Sequence, residues 1–167
     1  TAVKNSSAIS LIASKLGNTL YLQILSVGTT KNGLVLRTKE PLQDDYSSKL
    51  QEDGAIVLDD LIYRSGSSDL GQGPFESLSA LAIFLESTPR SSIILVGHSD
   101  AVGELSTNIN LSRNRAQAVV DRLIKSYGIE QSRISAQGVG FLSPKTNNST
   151  EKSRKKNRRV EAILIMP

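Results

Sequence analysis

The chain reads as an α/β sandwich with helices on one face of a mixed sheet, and three observations carry that reading. From Gly54 onward, apolar segments of strand period alternate with segments of helical period. Proline and glycine stand where helices start and stop, at Pro74, Pro89 and Gly128. At 167 residues and 38% hydrophobic composition, the chain is long enough for one cored domain with a small appendage, and with no cysteine it has no disulfide staples.

The elements follow in order. Ile9, Leu11, Ile12 and Leu16 predict a short helix, and Leu20–Val27 and Leu34–Arg37 predict two strands joined through the hairpin signal Asn32-Gly33. Pro41–Lys49, polar and acidic, reads as a linker. Residues 1–50 are therefore expected to form a small accessory α/β extension, and residues 51–167 the main domain. There, Ala55–Tyr63 predicts a strand and Arg64–Gly73 a loop. Pro74 is expected in the first turn of a helix lined by Phe75, Leu78, Leu81, Ala82 and Leu85. Ser91–His98 predicts a buried strand and Ser99–Asn110 a loop. Ser112 is expected to cap a second helix with Ala116, Val119, Val120, Leu123 and Tyr127 on its inner face. Ile134–Val139, a short basic helix capped by Ser149 or Thr150, and Arg159–Met166 complete the pattern.

Composition excludes several functions. The absence of cysteine removes thiolate catalysis and thiolate metal sites, and a single histidine removes any histidine cluster. No tryptophan and 4% aromatic content argue against a stacking platform for single-stranded nucleic acid. The net charge of +4 resides in the tail: residues 145–167 hold seven Lys or Arg against Glu151 and Glu161, +5, leaving −1 for the rest. No apolar run approaches the ~20 residues of a spanning helix. The opening at Thr1, without Met, is expected of a processed or trimmed chain.

Three constellations hold candidate chemistry. Gly97-His98-Ser99-Asp100-Ala101 nearly matches a hydrolase nucleophile elbow, but the only histidine adjoins the serine, on the opposite face of the strand. No other imidazole can serve as base, so no catalytic residue is expected. Asp100, at the carboxyl end of a strand, and Arg115, expected in the first turn of the next helix, face one crevice. They form either an ion pair tying loop to helix or a receptor for a zwitterion, the carboxylate taking an ammonium and the guanidinium a carboxylate. Lys152–Arg159, six of eight basic, is a solvated helix face or a sequence-blind nucleic-acid patch. Strand parity directs Arg158, with Val160, Ala162 and Leu164, toward the structured body.

These residues resemble a known family. Gly97-His98-Ser99-Asp100, Gly103, Asn108, Leu111-Ser112, Arg115-Ala116, Gly128-Ile129, Arg133-Ile134, Gln137-Gly138, Pro144, Asn147 and Asn157-Arg158-Arg159-Val160-Glu161 are similar to the OmpA-like carboxyl-terminal domain of OmpA, Pal and MotB-type proteins. The resemblance covers roughly residues 54–166. It implies a βαβαβ-type sandwich without catalysis, cofactor or metal, binding the peptide stem of peptidoglycan. On that resemblance Asp100 would hold the ammonium and Arg115 the carboxylate of diaminopimelate. Ser99, Asn108 and Leu111 would line the pocket, Arg158 would add to it, and the Tyr63-Arg64-Ser65 loop would offer backbone amides. Ser99 replaces the usual Thr, Arg64 an acidic or small residue, and Ser153 a Gly. The resemblance further implies a periplasmic place, attached to the outer membrane or envelope of a Gram-negative bacterium. Any membrane attachment would come through a segment not in this chain, such as a β-barrel, a lipid anchor or a transmembrane helix. A homodimer and an assembly or stator-type scaffold using residues 1–50 are the alternative expectation; nucleic acid is not expected as a partner.

Overall fold

The computed structural model describes the side chains of residues 46–166 and, before them, the backbone of residues 8–16, 19–30, 33–36 and 42–45. The chain divides into two compact units, residues 1–41 and 42–167.

The smaller unit is an antiparallel meander of β1 (Ala8–Leu16), β2 (Thr19–Thr30) and β3 (Gly33–Leu36) in the order β1-β2-β3. The helix expected around Ile9–Leu16 is a strand. Ile9, Ile12 and Leu16 fit helical spacing, but a short apolar run cannot separate the two periods. Pairing decides, since β1 is in register with β2 from Ala8↔Val27 to Leu16↔Thr19. Thr30 pairs with Gly33 across the expected hairpin, whose Lys31-Asn32, like Arg37–Pro41, lies outside the described residues.

The expected linker is also corrected. Leu42–Asp53 is a helix, α1, and the expected boundary at residue 50 falls inside it. Its polar face suggested a linker, yet Leu50 is 1% exposed in the core, and Gly54 (φ 72) ends the helix with its N–H on the Leu50 carbonyl.

The rest of the larger unit is β4 (Ala55–Val57), α2 (Glu76–Ser87), β5 (Ser92–Gly97), α3 (Leu105–Tyr127), a 3₁₀ turn (Gln131–Arg133), β6 (Ile134–Gly138), α4 (Glu151–Asn157) and β7 (Val160–Ile165). The sheet order is β4-β7-β5-β6, with β5 and β6 parallel and β7 antiparallel to both β4 and β5. Val160, Ala162, Leu164, Ile93 and Leu95 enter the core with Leu78, Leu85, Val119 and Leu123 of the helices. The alternate residues Ile94, Glu161 and Ile163 lie half-buried on the other face, so the helices pack on one face as the alternation predicts.

Three boundaries differ from expectation, each for a local reason. β4 stops at Val57; Leu58 still donates its N–H to the Val160 carbonyl at 3.0 Å, and the chain then turns away so that Asp60 accepts the Ser77 N–H at 3.1 Å in the first turn of α2. This acid does for α2 what its own N-cap residue, Phe75, cannot. Pro74 consequently sits just before the N-cap, outside the first turn. Most importantly, α3 begins at Leu105, two turns before Ser112, so Ser112 is no cap. Its hydroxyl donates back to the Ile109 carbonyl at 2.9 Å and accepts the Gly140 N–H at 2.9 Å. At the other end Gly128 closes α3 in the left-handed conformation, φ 73, and Thr150 caps α4 by accepting the Ser153 N–H.

Candidate functional site

The carboxyl ends of β4, β5 and β6 and the start of β7 lie at one end of the sheet, and the candidate side chains gather there. Beyond β5 the chain stays paired: His98 N–H donates to the Arg159 carbonyl and Ser99 N–H to that of Gly140, both at 2.9 Å. The turn that follows is held by Asp100, whose Oδ1 accepts the Val102 N–H at 3.1 Å. Leu58 and Leu61 anchor the chain leaving β4 in the core and deliver Tyr63, 2% exposed, to the same place.

Arg115 occupies the third turn of α3, not the first, and is fully buried at 0% exposure. Three backbone carbonyls satisfy it: Nε donates to Ser67 at 2.8 Å, Nη1 to His98 at 3.1 Å and Nη2 to Arg64 at 3.1 Å. Its Cζ lies 5.1 Å from the centroid of the Tyr63 ring. Burial pulls its pKa down to about 10, against the opposing pull of Tyr63 and Asp100. Burial likewise pushes the Tyr63 phenol above its ordinary value.

Asp100 is ion-paired with Arg158, at 2.8 Å from Oδ2 to Nη1, with both side chains at most 7% exposed. Of the two readings of Asp100 and Arg115, the direct ion pair is not made; Asp100 is tied instead to Arg158, just before β7. Arg158 also donates Nε to the Tyr63 carbonyl at 3.1 Å and Nη2 to Glu151 Oε1 at 2.5 Å, joining three segments through one guanidinium. Burial works against its charge, but Asp100 and Glu151 outweigh it and hold its pKa above the usual value.

The structure thus brings together Tyr63, the Arg64 carbonyl, Ser99, Asp100, Arg115 and Arg158. The Arg64 side chain is exposed and contributes only backbone. Ser99 Oγ is buried and, among the described residues, has no hydrogen-bond partner. Asn108 is spent on the loop itself, donating Nδ2 to the Val102 and Glu104 carbonyls at 2.8 and 3.1 Å. Leu111 is half-buried on α3.

Sequence reasoning gave no role to three contributors, Asn157, Asn148 and Glu151. Asn157, 0% exposed, accepts the Lys145 and Thr146 N–H groups at 2.9 and 3.0 Å and donates to the Thr146 carbonyl and Asn148 Oδ1, both at 2.9 Å. Asn148 in turn accepts the Ala101 N–H at 3.1 Å, bracing the Asp100 turn. In the sequence Glu151 enters only the charge count of the tail; in the structure it stands in the first turn of α4.

On the opposite face, Arg159 Nε donates to Glu161 Oε1 at 2.7 Å, and His98 Nε2 stands 3.6 Å from Glu161 Oε2, beyond hydrogen-bond length. The imidazole and the guanidinium hold the Glu161 carboxyl down at about 2, from an ordinary 4.5. A depressed carboxyl contributes stability that is full above the ordinary value and lost as pH falls toward the depressed one. Acid unfolding followed by circular dichroism is therefore expected to be shallower between about pH 4.5 and 2 in Glu161→Gln than in wild type; superimposable acid transitions would refute the linkage.

Among the described residues, no three His, Cys, Asp or Glu side chains gather to hold a metal ion, and no helix is long and apolar enough to cross a membrane.

The fold and this end of the sheet define an α/β sandwich with a buried acid–arginine cluster at the carboxyl ends of β5 and β6. The chain belongs to the OmpA family, whose model matches residues 62–158. It is 37% identical over 103 residues to outer membrane porin F of Pseudomonas aeruginosa, covering 62% of this chain and 29% of that protein. It is 30% identical over 110 residues to the peptidoglycan-binding protein ArfA of Mycobacterium tuberculosis, covering 66% of this chain and 33% of that one. Among solved structures it resembles the peptidoglycan-associated lipoprotein of Burkholderia pseudomallei, with a TM-score of 0.58, 25% identity, and coverage of 63% of this chain and 88% of that one. The chain spans less than half the length of both curated relatives.

Proposed function

We propose that residues 42–167 bind peptidoglycan without covalent chemistry, through the diaminopimelate of its peptide stem, and so anchor a periplasmic, outer-membrane-associated protein to the cell wall. The observation that carries this reading is a buried carboxylate and a buried guanidinium at one end of the sheet, held by separate partners. Arg115 commits three of its five N–H groups to carbonyls, which leaves one on each Nη to offer a carboxylate. Asp100 keeps lone pairs beside its bonds to Val102 and Arg158, and these accept from an ammonium. The Ser99 hydroxyl has its hydrogen-bonding capacity to spare. Reaching Arg115 requires the 64–67 turn to yield, because its carbonyls lie against the guanidinium. Family membership, and relatives whose own names mention peptidoglycan, support the wall as the partner. The cluster holds a zwitterion and offers no nucleophile–base pair to transform it.

The test is co-sedimentation with purified sacculi. Wild type should pellet with diaminopimelate-type walls, Asp100→Ala should remain in the supernatant, and lysine-type walls should retain less protein because lysine lacks the distal carboxylate. Equal retention by both wall types, with Asp100→Ala indistinguishable from wild type, would reject the assignment.

A further inference from the structure

We propose that Glu151 is a specificity-determining residue of this site: by sharing Arg158 with Asp100, it limits the positive charge beside Asp100 and so lets the site select a ligand bearing an ammonium. The inference rests on the diaminopimelate reading above.

The difficulty it resolves is electrostatic. Asp100 is the acid that would receive the ammonium, yet Arg158 already touches it at 2.8 Å, with both side chains nearly excluded from water. A carboxylate so closely paired presents an incoming cation with little net charge. The same guanidinium gives its other terminal nitrogen to Glu151 at 2.5 Å. One positive charge is thereby divided between two carboxylates, and the Asp100–Arg158–Glu151 group carries a net −1.

Arg158 cannot relieve this sharing by swinging toward one acid, because its Nε is tied to the Tyr63 carbonyl at 3.1 Å. The other charges around the group are Arg115, buried near Asp100, and Arg154, whose Nε donates to Glu151 Oε2 at 3.1 Å. Both are positive, so these five groups sum to +1, and without Glu151 they would sum to +2, a field that works against an incoming ammonium. Hydrogen bonds from Arg158 and Arg154 hold its carboxyl below the ordinary range, so it stays ionised at neutral pH. Its side chain is 64% exposed in the first turn of α4, so replacing it opens no core.

The experiment is an NMR chemical-shift titration of the full chain with two probes, meso-diaminopimelate and pimelate, which shares the carboxylates but lacks both ammonium groups. Wild type should prefer meso-diaminopimelate. Glu151→Gln should narrow that preference by about two- to fivefold, the scale of a partly exposed charge pair, chiefly by weakening meso-diaminopimelate. A loss of helix stability alone would lower both affinities together and leave their ratio unchanged. An unchanged ratio in Glu151→Gln overturns this assignment while leaving the site reading intact. A wild-type chain that does not bind meso-diaminopimelate overturns the site reading and this inference with it.

Discussion

Alanine at Gly97 is expected to abolish the cooperative melt of residues 42–167, a destabilisation above about 4 kcal/mol, well beyond the usual range for a single substitution. A Cβ built there would lie 1.8 Å from the Ser112 carbonyl oxygen and 2.6 Å from its carbon. Those atoms are helix backbone and cannot rotate away, so α3 would have to lift from β5. Gly138 is the matching contact on β6, where a Cβ would meet Arg113 N at 2.4 Å and the Ile109 oxygen at 2.5 Å. The two glycines lie opposite each other in the parallel pair and form the seat on which α3 rests. The contrast is Gly73→Ala, where a Cβ would touch only the Phe75 ring at 3.9 Å, and which should melt as wild type does. Thermal unfolding by circular dichroism separates these cases, and a Gly97→Ala protein with a native melt would disprove the seat.

Arg115→Ala should cost about 3–5 kcal/mol and abolish wall binding as well, since it leaves buried polar partners without their donor. Three carbonyls, of Arg64, Ser67 and His98, would lose their hydrogen bonds inside a site from which the guanidinium now excludes water. Arg115→Lys should recover little of either property. An ammonium is a point donor, and it cannot span carbonyls arranged around a planar fork or bridge a carboxylate through two parallel bonds. Denaturant titration measures the stability term and co-sedimentation with sacculi the binding term. A lysine variant equal to wild type in both would show that charge alone, and not the guanidinium geometry, is what the position requires.

These two positions also mark where sequence reading succeeded and where it failed. Gly97 opens a pattern resembling a nucleophile elbow, and the single histidine excludes that chemistry. The positive reason for the glycine, a helix backbone lying against it, needed the packing of α3. The sequence places Ser112 as a helix cap because serine is a preferred N-cap residue and an apolar stripe follows it. The helix instead starts at Leu105, with Asn108 bonding the Val102 and Glu104 carbonyls and Ser112 bridging to Gly140. Local signals fail at such points because a polar side chain can serve a tertiary partner as readily as its own backbone. The acidic stretch before Lys49 misled for a related reason: few apolar residues suffice for a helix when one of them, Leu50, is inserted into a core.

By itself, the sequence determined the alternation of strands and helices after Gly54, the core stripe of α3 and the glycine stop at Gly128, and it singled out Asp100, Arg115 and Arg158 while passing over Glu151. Those properties are local, written in periodicity and in the conformational limits of glycine and proline. Only the tertiary structure decided which charges meet. Asp100 pairs with Arg158, 58 residues away, and not with the nearer Arg115, which is surrounded by carbonyls from a loop after β4. Spacing along the chain assigns a charge to a loop or a helix. Which partner it finds depends on the sheet order, which sets the start of β7 between β4 and β5 and brings Arg158 to the acid.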